Sequence, residues 1–206
     1  MSKIKICGLF LPCDIAYVNE AKPDWCGFII NYPKSHRSVT PEQVRSLVKK
    51  LHHGIVPVGV FVDQPVEQVA ALINDGTISV AQLHGQEDLS YLSALRNLAP
   101  GCQVWKAFSV QTPADLAAAN ASTADLVLLD SGSGTGRTFD WSLAESVTRP
   151  FLLAGGLTPE NIPDAVARLN PYGLDLSSGV ESGQKKDRSK IAAAVYAARK
   201  KLPNVR

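Results

Sequence analysis

Short apolar runs recur along the chain, at residues 4–7, 25–30, 56–62, 79–83, 103–107, 126–130, 151–154 and 174–177. Residues 56–62 read Val-Pro-Val-Gly-Val-Phe-Val, apolar on both alternate faces, which a strand covered on both sides of a parallel sheet requires. Between the runs lie segments with helical spacing of apolar positions: 14–21, 41–51, 65–74, 87–98, 113–121, 141–147, 159–169 and 187–201. Several carry helix-start signals, with Thr40-Pro41, Thr112-Pro113 and Thr158-Pro159 as capping residue and first-turn proline, and Glu42 and Glu160 close behind. Eight strands alternating with eight helices predict a parallel sheet.

Such a sheet can close into a (β/α)8 TIM barrel or stay open with helices on both faces. The regular repeat, the lack of a composition break and the sequence after the last two strands favour the barrel, as one catalytic domain over residues 1–206. There, 151–156 reads Phe-Leu-Leu-Ala-Gly-Gly and 173–179 reads Gly-Leu-Asp-Leu-Ser-Ser-Gly. Turns without intervening side chains let backbone N–H groups approach an anion, and barrels commonly bind phosphate after strands seven and eight. Gly155, Gly156, Ser178 and Gly179 are therefore the candidate phosphate site.

Strand ends at one mouth also gather the candidate chemistry. Cys7 ends the first run and Asp130 the sixth, while His84 follows the fourth. A cysteine here is either an apolar filler or, as thiolate, a base or nucleophile. Asp130 either caps the following loop or works with Cys7 as acid and base. The Gly132, Gly134 and Gly136 pattern lacks the full dinucleotide or P-loop signature. Arg37, in the loop after the second run, offers a fork for a carboxylate.

Composition narrows the classes. The chain has 206 residues, 45% of them hydrophobic and 19% charged, as in an ordinary globular protein. A net charge of +2 and the short basic cluster Lys185, Lys186, Arg188 and Lys190 read as a solvated helix start, not a nucleic-acid surface. No apolar run approaches the roughly 20 residues of a membrane span, and no secretory segment is evident. Cys7, Cys13, Cys26 and Cys102 lack zinc spacing, so reduced thiols, a cytoplasmic location and no metal are expected.

Ordered motifs along the whole chain sharpen this reading. They are Lys5-Ile6-Cys7-Gly8; Pro33 to Arg37; Gly59-Val60-Phe61-Val62; Gln82-Leu83-His84-Gly85; Leu128-Leu129-Asp130; Gly134 to Trp141; Gly155-Gly156-Leu157 with Pro159-Glu160-Asn161; and Asp175 to Glu181. Together they resemble the phosphoribosylanthranilate isomerases of tryptophan biosynthesis.

The resemblance implies a cofactor-free Amadori rearrangement of N-(5-phosphoribosyl)anthranilate to 1-(2-carboxyphenylamino)-1-deoxyribulose 5-phosphate. It implies Asp130 as general acid at the furanose oxygen, Cys7 as general base at sugar C2, and Arg37 on the anthranilate carboxylate. Backbone amides around Gly155, Gly156, Ser178 and Gly179 would hold the phosphate, with Gln82 and His84 in supporting places. The implied partner is a small phosphoribosyl molecule, with no nucleic acid or membrane.

Two departures from the family pattern stand out: the first loop, Leu9-Phe10-Leu11-Pro12-Cys13-Asp14, and a compact loop after Asp130. The competing readings are a related sugar-phosphate barrel enzyme and a phosphate-ligand sensor without turnover.

Overall fold

Apolar β-rich runs pair in parallel, and each returns to the start of the next through a helix, which buries both faces of the sheet. The computed structural model describes residues 2–130 and 141–200. The strands are β1 (Lys3–Ile6), β2 (Trp25–Ile30), β3 (Val56–Phe61), β4 (Val80–Leu83), β5 (Gln103–Ser109), β6 (Leu126–Asp130), β7 (Phe151–Leu153) and β8 (Gly173–Leu176). All pair in parallel with their neighbours. The ring closes because β1 pairs with both β2 (Lys5 opposite Trp25) and β8 (Lys5 opposite Asp175). The open-sheet alternative is thereby excluded.

The helices are α1 (Pro12–Ala21), α2 (Pro41–Val48), α3 (Val66–Asn74), α4 (Leu89–Leu98), α5 (Pro113–Ala121), α6 (Trp141–Ala144), α7 (Ile162–Leu169) and α8 (Arg188–Arg199). At α2 the expected cap forms: Thr40 Oγ1 accepts from the Gln43 amide at 3.3 Å, and Gln43 Oε1 accepts from the Thr40 amide at 2.8 Å. Thr158-Pro159 does not start a helix. Asn161 Oδ1 takes the Thr158 amide at 2.8 Å, folding 158–161 into a turn, and Pro163 supplies the first-turn proline of α7.

Sequence reading also missed a two-residue strand, Ser38–Val39, beside β2, and an antiparallel hairpin of Glu181–Ser182 with Lys185–Lys186. Segments this short carry no period to detect. The hairpin overturns the reading of the basic cluster as a uniformly solvated helix start, because the Lys186 side chain is fully withdrawn from solvent.

Alternation along each strand sends one set of residues outward to the helices and the other into the barrel. The outward set joins Ile4, Ile6, Cys26, Phe28, Phe61, Leu83, Val104, Leu129 and Leu153 to the helix faces as the main core. The inward set is sorted by height. Trp25, Val58, Val80, Trp105, Leu126, Leu128 and Leu152 pack the lower interior, where Trp25 and Trp105 meet edge to face with ring centroids 5.2 Å apart. Polar residues occupy the upper interior, below the C-terminal strand ends. Among the described residues no helix is long and apolar enough to cross a membrane, and no cluster of His, Cys, Asp and Glu is placed to hold a metal ion.

Candidate active site

The strand ends surround a cavity of about 590 Å³ lined by Cys7, Arg37, Gln82, His84, Asp130, Asp175, Gly155, Gly156, Ser178 and Gly179, among others. Every sequence-predicted site residue is therefore brought to one cavity. Cys7 directly follows β1, and Asp130 ends β6. The glycine turns that follow β7 and β8 fill the arc between them, and Arg37 enters from the opposite flank of β1, in the loop after β2.

Local structure explains each placement. Cys7 donates its amide to Leu176 O at 2.8 Å, and the Gly8 and Leu9 amides both reach Gly27 O. Gly8 has φ +74°, and a side-chain carbon there would lie 2.5 Å from Arg37 Cδ, so this glycine both makes the turn and lets Arg37 cross the barrel rim. The unusual first loop is braced from within: Asp14 accepts the amides of Phe10 and Leu11, each at 2.9 Å, with Leu9 and Asp14 fully buried. None of residues 8–14 lines the cavity. The departure at this loop is thus a matter of packing behind the site.

At the phosphate-like end, Gly155 and Gly156 have φ +82° and +65°, a backbone course that side chains resist. Asn161 Nδ2 donates to Gly156 O at 2.9 Å while its Oδ1 holds Thr158, so one side chain pins this turn. A carbon added at Gly179 would fall 1.8 Å from Leu157 O: the two turns interlock through the missing side chain. Among the described residues no hydrogen bond engages the amides of Gly155, Gly156 or Ser178. Donors of that kind, exposed to a cavity, suit an oxyanion.

Arg37 is gripped by Glu181 through two bonds of 2.6 Å, from Nε and one terminal nitrogen. That leaves the edge formed by its two terminal nitrogens for a second carboxylate. Glu181 also accepts from Lys186 at 2.6 Å, and Lys186 donates to Ser177 O at 3.0 Å. Burial alone would raise the Glu181 carboxyl, but Arg37 and Lys186 outweigh it and hold the group below its usual range. Burial pulls the Lys186 ammonium down despite Glu181.

Below them, Lys5 and Asp175 form a buried ion pair of 2.9 Å across β1 and β8. Asp175 Oδ1 and Gln82 Oε1 have no partner among the described residues. Cys7, 7% exposed, has its thiol pushed up by burial, and Lys5 pulls it part of the way back. His84 Nε2 lies 3.5 Å from Asp130 Oδ2. Around the cavity the cations Lys5, Arg37 and Lys186 stand with the carboxylates Asp175, Glu181 and Asp130.

Sequence reading left Lys5, Asp175, Glu181 and Lys186 without roles. Lys5 and Asp175 announced themselves as charged residues inside otherwise apolar, doubly covered strands, a pattern that demands pairing. Glu181 and Lys186 gave no such signal. The compact glycine-rich loop expected after Asp130 lies outside the described residues.

Comparison with known proteins decides among the sugar-phosphate chemistries that such a cavity could serve. Residues 4–197 match the family described as N-(5'phosphoribosyl)anthranilate (PRA) isomerase. The chain belongs to this family. It is 43% identical over 201 residues to the N-(5'-phosphoribosyl)anthranilate isomerase of Endomicrobium trichonymphae, covering 95% of this chain and 97% of the relative. To the isomerase of Caldanaerobacter subterraneus subsp. tengcongensis it is 38% identical over 202 residues, with the same coverage. The crystal structure of the Thermotoga maritima phosphoribosyl anthranilate isomerase superposes with a TM-score of 0.85 at 33% identity, over 97% of this chain and 99% of that one. The chain is accordingly an isomerase of tryptophan biosynthesis that carries out an Amadori rearrangement.

Proposed function

We propose that Cys7 and Asp130 are the proton-transfer pair of this rearrangement, and that Arg37 and the two glycine turns anchor the ends of the substrate. The observation that carries the reading is their convergence on one cavity, with the turns on the arc between acid and base and a cationic flank at Arg37. A related structure was solved in complex with reduced 1-(o-carboxyphenylamino)-1-deoxyribulose 5-phosphate, at 33% identity and a TM-score of 0.84. That molecule carries a carboxylate at one end and a phosphate at the other, as the two anchors require.

The chemistry then runs in balanced steps. Asp130 gives a proton to the furanose ring oxygen as the C1–O bond breaks, and the anthranilate nitrogen lone pair forms the C1=N bond of a protonated imine. The Cys7 thiolate removes the C2 proton. The C–H pair becomes the C1=C2 bond, the imine pair returns to nitrogen, and the resulting enolamine tautomerises to the ketone. Holding the remote groups does not itself lower the barrier, but it fixes C2 against the sulfur and the ring oxygen against the acid.

Turnover of freshly generated phosphoribosylanthranilate, followed by loss of anthranilate fluorescence, tests the assignment. Cys7→Ser should lower kcat by roughly 10²-fold or more while leaving KM nearly unchanged, the scale expected on removing a general base. Near-normal kcat in that variant would overturn the role of Cys7.

A further inference from the structure

Lys5 is an anomaly that the reaction as described does not use. Its side chain is wholly withdrawn from solvent inside the barrel, where the neighbouring inward residues below are apolar. Burying an ammonium against a carboxylate gives no stability that a well-packed apolar side chain would not match. A different use is indicated by what stands beside it.

Lys5 faces inward on β1, and Cys7, whose amide continues the pairing to Leu176 O just past the strand end, follows the same alternation inward. Across the barrel seam, Gly27 on β2 leaves the space into which both reach. A side-chain carbon at Gly27 would lie 2.8 Å from Cys7 Sγ and 3.0 Å from Lys5 Nζ, so the two groups share one pocket of volume that only glycine vacates. On the other flank Lys5 stands directly opposite Asp175 in the β1 and β8 register, and Nζ donates to Asp175 Oδ2 at 2.9 Å. The ammonium is thus fixed between one carboxylate and one thiol.

We propose that Lys5 is a positioning residue whose ammonium, anchored on Asp175, is the counter-ion that holds Cys7 available as a thiolate. This rests on the reading of Cys7 as the base. Lys5 remains protonated throughout. The thiolate takes the C2 proton and becomes a neutral thiol as the imine cation is discharged, so the ammonium opposes a charge that exists before the proton transfer and vanishes in it.

The other groups around Cys7 set the sign of each test. Asp175 opposes the thiolate, Lys186 and Arg37 favour it from farther along the rim, and Cys26 on β2 is a fully buried thiol kept neutral by its surroundings. Burial favours the ammonium less than water does, yet Asp175 and Cys7 together hold Lys5 above its ordinary value.

The experiment reads the pH dependence of Cys7 alkylation by iodoacetamide, followed by mass spectrometry in a Cys13→Ser, Cys102→Ser background. Lys5→Met should move the midpoint to higher pH and slow alkylation at neutral pH by about tenfold for each unit moved. Asp175→Asn should move the midpoint the opposite way, because the amide oxygen still accepts from Lys5 but the opposing charge is gone. Midpoints that stay put, or that move in the same direction, overturn the proposal. If Lys5→Met does not fold, Lys5→Gln decides in its place: an upward midpoint supports the counter-ion role, and an unmoved or downward one defeats it.

The acid limb of kcat/KM separates the two layers of the argument. It should track the alkylation midpoint in each variant. An alkylation midpoint that moves while the limb does not would remove Cys7 as the base and leave the Lys5 coupling standing.

Discussion

Arg37 and Glu181, 144 residues apart in the chain, meet in a two-pronged ion pair at 2.6 Å across the rim of the barrel. The pair closes the gap between the loop after β2 and the hairpin after β8, and a second cation, Lys186, sits on the same carboxylate. Glu181→Gln would leave Lys186 buried without its counter-charge and Arg37 without a fork to hold it. Loss of about 3 kcal/mol of stability is expected, the scale for breaking a buried pair. Steady-state kinetics should show KM rising more than kcat falls, because Arg37 loses its aim. A variant with unchanged KM would mean that Arg37 does not bind substrate from this position.

The same pair predicts an acid-labile rim. The Glu181 carboxyl titrates lower in the folded chain than in the unfolded one, since Arg37 and Lys186 overcome the upward push of burial. Its contribution is therefore complete above the usual carboxylate range and is lost as pH falls through the lowered folded value. Denaturant melts across acid pH should show stability dropping in that window, and the drop should be shallower in Glu181→Gln. Parallel pH profiles for the two proteins would refute this.

Asp130→Asn keeps the shape of the acid and removes its proton, so ring opening should be the step that suffers, by roughly 10²-fold in kcat. An open-chain substrate analogue that bypasses this step should restore Asp130→Asn more than Cys7→Ser. Equal rescue would deny the two residues separate roles.

Inorganic phosphate should compete with substrate, and Gly179→Ala should weaken both. The reason is mechanical: the added carbon meets Leu157 O, so the turn after β8 must part from the turn after β7. Lys185, exposed in the hairpin, should tolerate replacement by alanine with little change in the inhibition constant. Loss of phosphate inhibition in Lys185→Ala would move the anion site to the hairpin.

Sequence made the barrel legible because its signals are periodic and redundant. Apolar runs such as 56–62 can only be doubly covered strands, and eight of them in alternation leave few arrangements. The placement of Cys7 and Asp130 at one cavity was readable because strand ends converge wherever the barrel closes. The roles of Lys5 and Asp175 were not, although both lie in the runs that defined the fold. Their meaning is a pairing between the first and last strands, which no local window contains. Glu181 and Lys186 belong to a hairpin too short to have a pattern, and Pro163 rather than Pro159 starts α7 because the Asn161 side chain captures the preceding amide.

The crossed tryptophans Trp25 and Trp105 make the barrel a dead end. With these rings and the aliphatic residues around them filling the lower interior, substrate and product share a single doorway at the strand ends. Substrate must enter and product leave by that one route, past Arg37 and the glycine turns. On the proposed anchoring, tight hold on either end would slow departure as much as it aids arrival, so affinity beyond what positioning needs would return as slower release.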